Sequence, residues 1–122
     1  MYYAAVQGSE NALKNFIQEG AKETITLENA AMGLDTEYKV GILHYSPVKE
    51  TLAGEEPELY PFLGSSLLGD ALDRHHADVI VHDHAHQGSP RGATPEKTVV
   101  HNVSRFVQRR FKQKSYLCFD LG

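Results

Sequence analysis

Two apolar runs, "YKVGILHY" at 38–45 and "ADVIVHDH" at 77–84, constrain this chain more than any other feature. Each reads as a buried strand, the first through the compact set Val40, Ile42 and Leu43, and a long loop and a helix lie between them. Strand, loop, helix and strand in that order form a crossover unit, which is expected to be parallel and right-handed. The helix is predicted from about Ser66 to His76, where Leu63, Leu67, Leu68, Ala71 and Leu72 share a face and serine can cap the start. The loop "SPVKETLAGEEPELYPFLGSS" carries three prolines and two glycines. Loops of that length beside a strand end are where sites tend to be built.

Both strands run out into histidine. His44 ends the first, and His82, His84 and His86 follow at every second position from the second. In a parallel unit both groups fall at the carboxyl edge of one sheet, the edge where open α/β sheets place ligands. If the segment stays extended, residues i and i+2 point the same way with Cα atoms roughly 6.6 Å apart, so the three histidines are expected to face one site. Neutral imidazoles bind zinc, iron, manganese or nickel at about 2.0–2.2 Å, and the spacing suits two histidines on one ion or one on each of two ions. His75 and His76 differ, since they sit at the end of the predicted helix, where the dipole favours imidazolium as a structural cap. His101, inside "TVVHNVS", is read as a core or hydrogen-bonded histidine.

The remaining segments complete an α/β reading. Ahead of the first strand a helix is expected from Ser9, with Leu13, Phe16 and Ile17 on one face and Gly20 as a stop. A second helix is expected over Leu27–Leu34, with Leu27, Ala30, Ala31 and Leu34 in register and Thr26 as its cap. After the histidines, a turn-rich "QGSPRGATPE" leads to a strand "KTVVHNVS". The basic segment "RFVQRRFKQK", read as a solvated turn, leads to a strand "SYLCFDL". Connections this short suggest antiparallel later strands, hence a mixed β-sheet with flanking helices in a single domain over 1–122.

Composition bounds the function classes. A chain of 122 residues with 41% hydrophobic and 23% charged residues suits one soluble domain, and no apolar run approaches the ~20 residues of a membrane helix. The opening "MYYAAVQGSEN" lacks the basic start and apolar stretch of a signal peptide, so a cytoplasmic setting and no membrane partner are expected. A net charge of -4 argues against general nucleic-acid binding. The single cysteine, Cys118, excludes an intrachain disulfide and is expected to be a buried structural thiol.

"ILHYSP", "PFLGSS" and "VHDHAHQGSPRG", followed by "VVHNVS", resemble in order and spacing the C-terminal half of calcineurin-like metallophosphoesterases, over roughly Leu34 to Val103. The resemblance implies half of a four-layer αββα sandwich. It also implies two divalent transition-metal ions (Mn, Fe, Zn or Ni), with His44 and His84 ligating one and His86 the other. Two such ions ~3.5–4 Å apart activate water for attack on phosphate mono- or diesters. By the same resemblance, His82 becomes a neighbour of the ligands or faces substrate, Asn102 supports the site and Arg91 meets a phosphate.

Two departures stand out. Asp83 occupies the place of a family glycine. The family's first-half series D-x-H, G-D-x-x-D and G-N-H-D/E is read as absent from this sequence. A truncated or split hydrolase, inactive alone, is therefore expected. Its bare inner sheet face would be covered by the complementary half or by a second copy of the chain in a homo-oligomer. The alternative is a noncatalytic metal-binding or protein-interaction module that retains the half-fold. A third reading is a mononuclear site of His44, His84 and His86.

Overall fold

The structure is a computed structural model that describes residues 9–122, with side chains from Lys14 onward. The opening segment and the side chains of Ser9 and Leu13 lie outside the described residues.

Residues Ser9–Met32 form one continuous helix, α1, where two helices separated at Gly20 were expected. Glycine costs about 1 kcal/mol in a helix interior and does not by itself end one. The Thr24 hydroxyl donates to the Gly20 carbonyl at 2.9 Å, and Thr26 lies mid-helix rather than capping a second segment. α1 meets the body of the protein along its length, with Phe16 against the Tyr45 and Phe62 rings. Leu27 packs on the core and Ala31 is buried, whereas Ile17 and Ile25 remain exposed.

The sheet contains β1 (Val40–Ile42), β2 (Val79–His82), β3 (Arg91–Ala93) and β4 (Val99–Asn102), in the order β1-β2-β4-β3. The loop after β1 contains two 3-10 turns, Glu50–Leu52 and Pro57–Leu59, and a one-turn helix, α2 (Tyr60–Leu63); helix α3 (Ser66–Arg74) then leads into β2. On α3, Leu68, Ala71 and Leu72 are buried as the periodicity requires, while Leu67 faces solvent. β1 and β2 pair in parallel, as the crossover unit demands.

Five expectations are corrected beyond β2. β4 pairs parallel with β2, and only β3 against β4 is antiparallel. β3 lies within the segment read as a turn. It carries the chain back along the sheet to its amino edge, so the next strand starts beside the start of β2 without a helical crossover. The basic segment is helix α4 (Arg105–Lys112), with Val107 and Gln108 buried and Gln113 closing it in the left-handed conformation at φ 57°. Arginine, lysine and glutamine are good helix formers, and one buried stripe is enough to hold them. The final segment forms no strand. It is irregular, and Cys118 is exposed rather than buried.

The two sheet faces differ. Ile80 and Val100 join Leu72 and Ala77 in the core, with Leu27, Leu43 and Val48 against them. Gly41 lets β1 approach this layer, because a Cβ there would meet the Leu72 Cδ1 at 2.6 Å. β1 is thus an edge strand with Gly41 buried and Val40 and Ile42 exposed, not the fully buried strand expected. On the opposite face the C-terminal segment supplies partial cover, with Phe119 stacked on His101 at a ring separation of 5.2 Å. No helix among the described residues is long and apolar enough to cross a membrane.

Candidate functional site

The β1–β2 ladder continues past both strands. The Leu43 amide donates to the Val81 carbonyl at 2.8 Å, and the His84 amide donates to the His44 carbonyl at 3.0 Å. This backbone pairing sets the His44 and His84 rings side by side, with centroids 4.2 Å apart and planes at 39°. Asp83, next in chain to His84, places Oδ1 2.8 Å from His44 Nδ1. Tyr45 stands edge-on to both rings.

The alternation expected of the three later histidines ends with the strand. β2 stops at His82 and the chain turns, so the rings take three directions. His82 points inward and is 1% exposed. His84 joins His44. His86 lies against Phe106, with ring centroids 4.6 Å apart. Among the described residues, no group of three or more His, Cys, Asp or Glu side chains is gathered closely enough to hold a metal ion.

A buried polar layer lies under the histidine loop. His82 Nε2 is 2.7 Å from Thr51 Oγ1, and the Thr51 and Ser46 hydroxyls are 2.6 Å apart. Ser46 Oγ donates to the Val48 carbonyl at 2.7 Å. With the Ser46 proton committed there, Thr51 donates to Ser46 and His82 Nε2–H donates to Thr51. His82 Nδ1 is buried with no hydrogen-bond partner among the described residues, and burial pushes the pKa of the ring down to about 4, which keeps the imidazole neutral. Asn102 is fully buried. Its amide group donates to the Ala85 carbonyl at 2.8 Å, its Oδ1 accepts the Ser104 amide at 3.1 Å, and its backbone carbonyl accepts from Gln108 Nε2. Asn102 holds the loop from below, and Arg91 is exposed on β3 with its charge acting on His101.

The loop is also fastened from the side by residues to which the sequence assigned no role at the site. Glu55 accepts the Gln87 amide at 2.7 Å, the Ser89 amide donates to Thr51, and Arg110 Nη2 donates to the Gly88 carbonyl at 2.8 Å. Gly54, at φ 116°, packs on the Gln87 carbonyl, and Gly88 packs on the Thr51 carbonyl, so neither crossing leaves room for a Cβ. The paired glycines on two loops were the available signal. His84 is held toward its neutral form, first by burial and then by the nearby His44 and His86 rings. Its nitrogen lone pair is thus available near neutral pH.

The expected absence of two family motifs is corrected as to the letters: Gly69–Asp73 fits G-D-x-x-D and Asp73–His75 fits D-x-H. These overlapping strings lie on α3, which is why they supply no ligand to the histidines. Asp73 accepts hydrogen bonds from Thr94 and Thr98 at the amino edge of the sheet, beside an open groove of about 720 Å³ that Asp70, Asp78 and Glu96 also line. His75 occupies the C-cap position of α3, and its side chain ties that helix to α1 through Glu28. Comparison with family models, curated proteins and solved structures returned no match.

Proposed function

We propose that this chain is the C-terminal half of a calcineurin-like metallophosphoesterase sandwich, contributing one wall of a binuclear site that hydrolyses phosphate mono- or diesters in the cytoplasm. The observation that carries the reading is the His44–His84 pair at the carboxyl edge of two parallel strands, with His44 Nδ1 engaged by Asp83 and Nε2 without a hydrogen-bond partner among the described residues. Two imidazoles, one of them held neutral by its surroundings, fit a divalent transition-metal ion as part of its shell. The remaining ligands come from the complementary half or from a second copy of this chain, docked on the face where Val40 and Ile42 are exposed. His86, now against Phe106, serves the second ion in this reading. When bound, the ions supply an activated water and offset charge on the phosphoryl oxygens. The chain's own part is to hold the His44 and His84 nitrogens in place on a loop anchored through Thr51, Glu55, Asn102 and Arg110.

The noncatalytic module is favoured by a different observation, the dispersal of His82, His84 and His86 in three directions. One assay separates the two. A chromogenic phosphodiester is incubated with Mn2+ and the chain, alone and co-expressed with a metallophosphoesterase first half carrying D-x-H, G-D-x-x-D and G-N-H. Hydrolysis only in the combined sample, abolished by His84→Ala, is the expected result. Combined activity that survives both His44→Ala and His84→Ala overturns the proposal.

A further inference from the structure

Asp83 stands where the resembling sequences carry glycine, and its carboxylate is the only side chain hydrogen-bonded to His44 among the described residues. The pair is too exposed to be a stability device, with side chains 58% and 57% accessible, since such surface pairs contribute about 0–1 kcal/mol. Its chemistry is directional instead. An ionised carboxylate only accepts hydrogen bonds, so an oxygen 2.8 Å from Nδ1 requires the proton on that nitrogen and leaves the lone pair on Nε2. We propose that Asp83 is a positioning residue that fixes His44 as the Nδ1–H tautomer and makes Nε2 its metal-ligating atom, next to the His84 ring. This proposal rests on the reading of His44 and His84 as ligands.

The local backbone supports the assignment. His84 N–H on the His44 carbonyl locks the two ends in register, so Asp83 and His84 approach His44 from adjacent positions on one strand extension. One neighbour orients the imidazole and the other stands beside it. Carboxylate–histidine–metal arrangements work in this way, by fixing the tautomer and raising the basicity of the ligating nitrogen. A glycine at 83 has no group to do so.

The tautomer is read directly, without metal, from long-range 1H–15N correlations of the histidine rings in the full chain at pH 8. His44 is expected as Nδ1–H, reverting to mostly Nε2–H in Asp83→Gly and Asp83→Ala. In Zn2+ calorimetry of the chain assembled with the complementary half, the same two variants are expected to bind about 10- to 100-fold more weakly, with Asp83→Asn rescuing part of the loss because its Oδ1 still accepts. Circular dichroism checks that each variant is folded. A wild-type His44 in the Nε2–H form, or a tautomer and affinity unchanged by Asp83→Gly, overturns the proposal. A wild-type assembly with the complementary half that shows the Nδ1–H form yet binds Zn2+ no better than the same assembly carrying His44→Ala and His84→Ala overturns the ligand reading and the metal part of this proposal. It leaves Asp83 as the residue that sets the tautomer.

Discussion

The histidine loop has two layers that answer to opposite physical demands. Beneath it, His82, Thr51, Ser46 and Asn102 are buried and bonded to one another and to backbone carbonyls. Above it, His44 and Asp83 are exposed and His84 is half-buried, and the backbone that carries them is held by the paired ends of two strands. A buried polar group left without a partner costs about 1–3 kcal/mol, so the lower layer is tied to stability. The upper layer can vary at little cost to the fold, which is the condition for residues that must present free nitrogen atoms. Three histidines at alternate positions thus divide into one that shapes the loop and two that stand on or beside it.

Mutation sharpens this contrast. The largest effect is expected from Asn102→Ala, which removes the partners of the Ala85 carbonyl and the Ser104 amide in a fully buried place. Urea unfolding should show a loss of about 3–4 kcal/mol. If the loss is below that of an ordinary surface substitution, the lower layer is not structural.

Next in size is a pH effect through His82. Its folded pKa, about 4, lies below the ordinary 6.5, so between these values the unfolded chain takes up a proton that the folded chain refuses. Stability is full above pH 6.5 and falls as pH drops toward 4, by roughly 3 kcal/mol in all. His82→Gln, which does not titrate, should flatten that slope. An unchanged slope would mean that His82 is not the group responsible.

The smallest effect on stability is expected in the upper layer, where His44→Ala and His84→Ala should each stay within about 0.5 kcal/mol of the parent chain. A loss from either that rivals Asn102→Ala would erase the distinction between the layers.

Much of the frame was legible in the residues, for identifiable reasons. Leu68, Ala71 and Leu72 recur at helical spacing, and Val79–Val81 is a β-branched run bounded by turn residues, so α3, β2 and their crossover from β1 follow directly. β3 was not legible, because "RGA" carries no strand preference and is a strand only through its pairing with β4. That omission also reversed the expected direction of β4. "SYLCFDL" has the composition of a strand, yet it lies on a sheet face, where Phe119 meets His101, and not at a sheet edge. Gly20 did not stop α1, since a helix ends where its hydrogen bonds do and Thr24 keeps the Gly20 carbonyl engaged. In the site, strand order placed His44 and the later histidines at one sheet edge, while the choice of His84 as the neighbour of His44 came from the family resemblance. The inward turn of His82 depends on where β2 ends, and the bond from Asp83 spans 39 residues of sequence, so neither is a local property.

That span governs how the molecule reaches its final form. Thr51 lies 31 residues from His82 and 51 from Asn102, so both layers join segments brought together only by closing large loops. Such closures come late in folding, because their entropy is lost before the contacts they permit are gained. Helices α1 and α3 and the short β3–β4 ribbon are local and are expected to form first. On refolding, the His44–His84 pair is then expected in the last cooperative step, so a partly folded chain exposes its histidines singly and presents a paired site only once the sheet is complete.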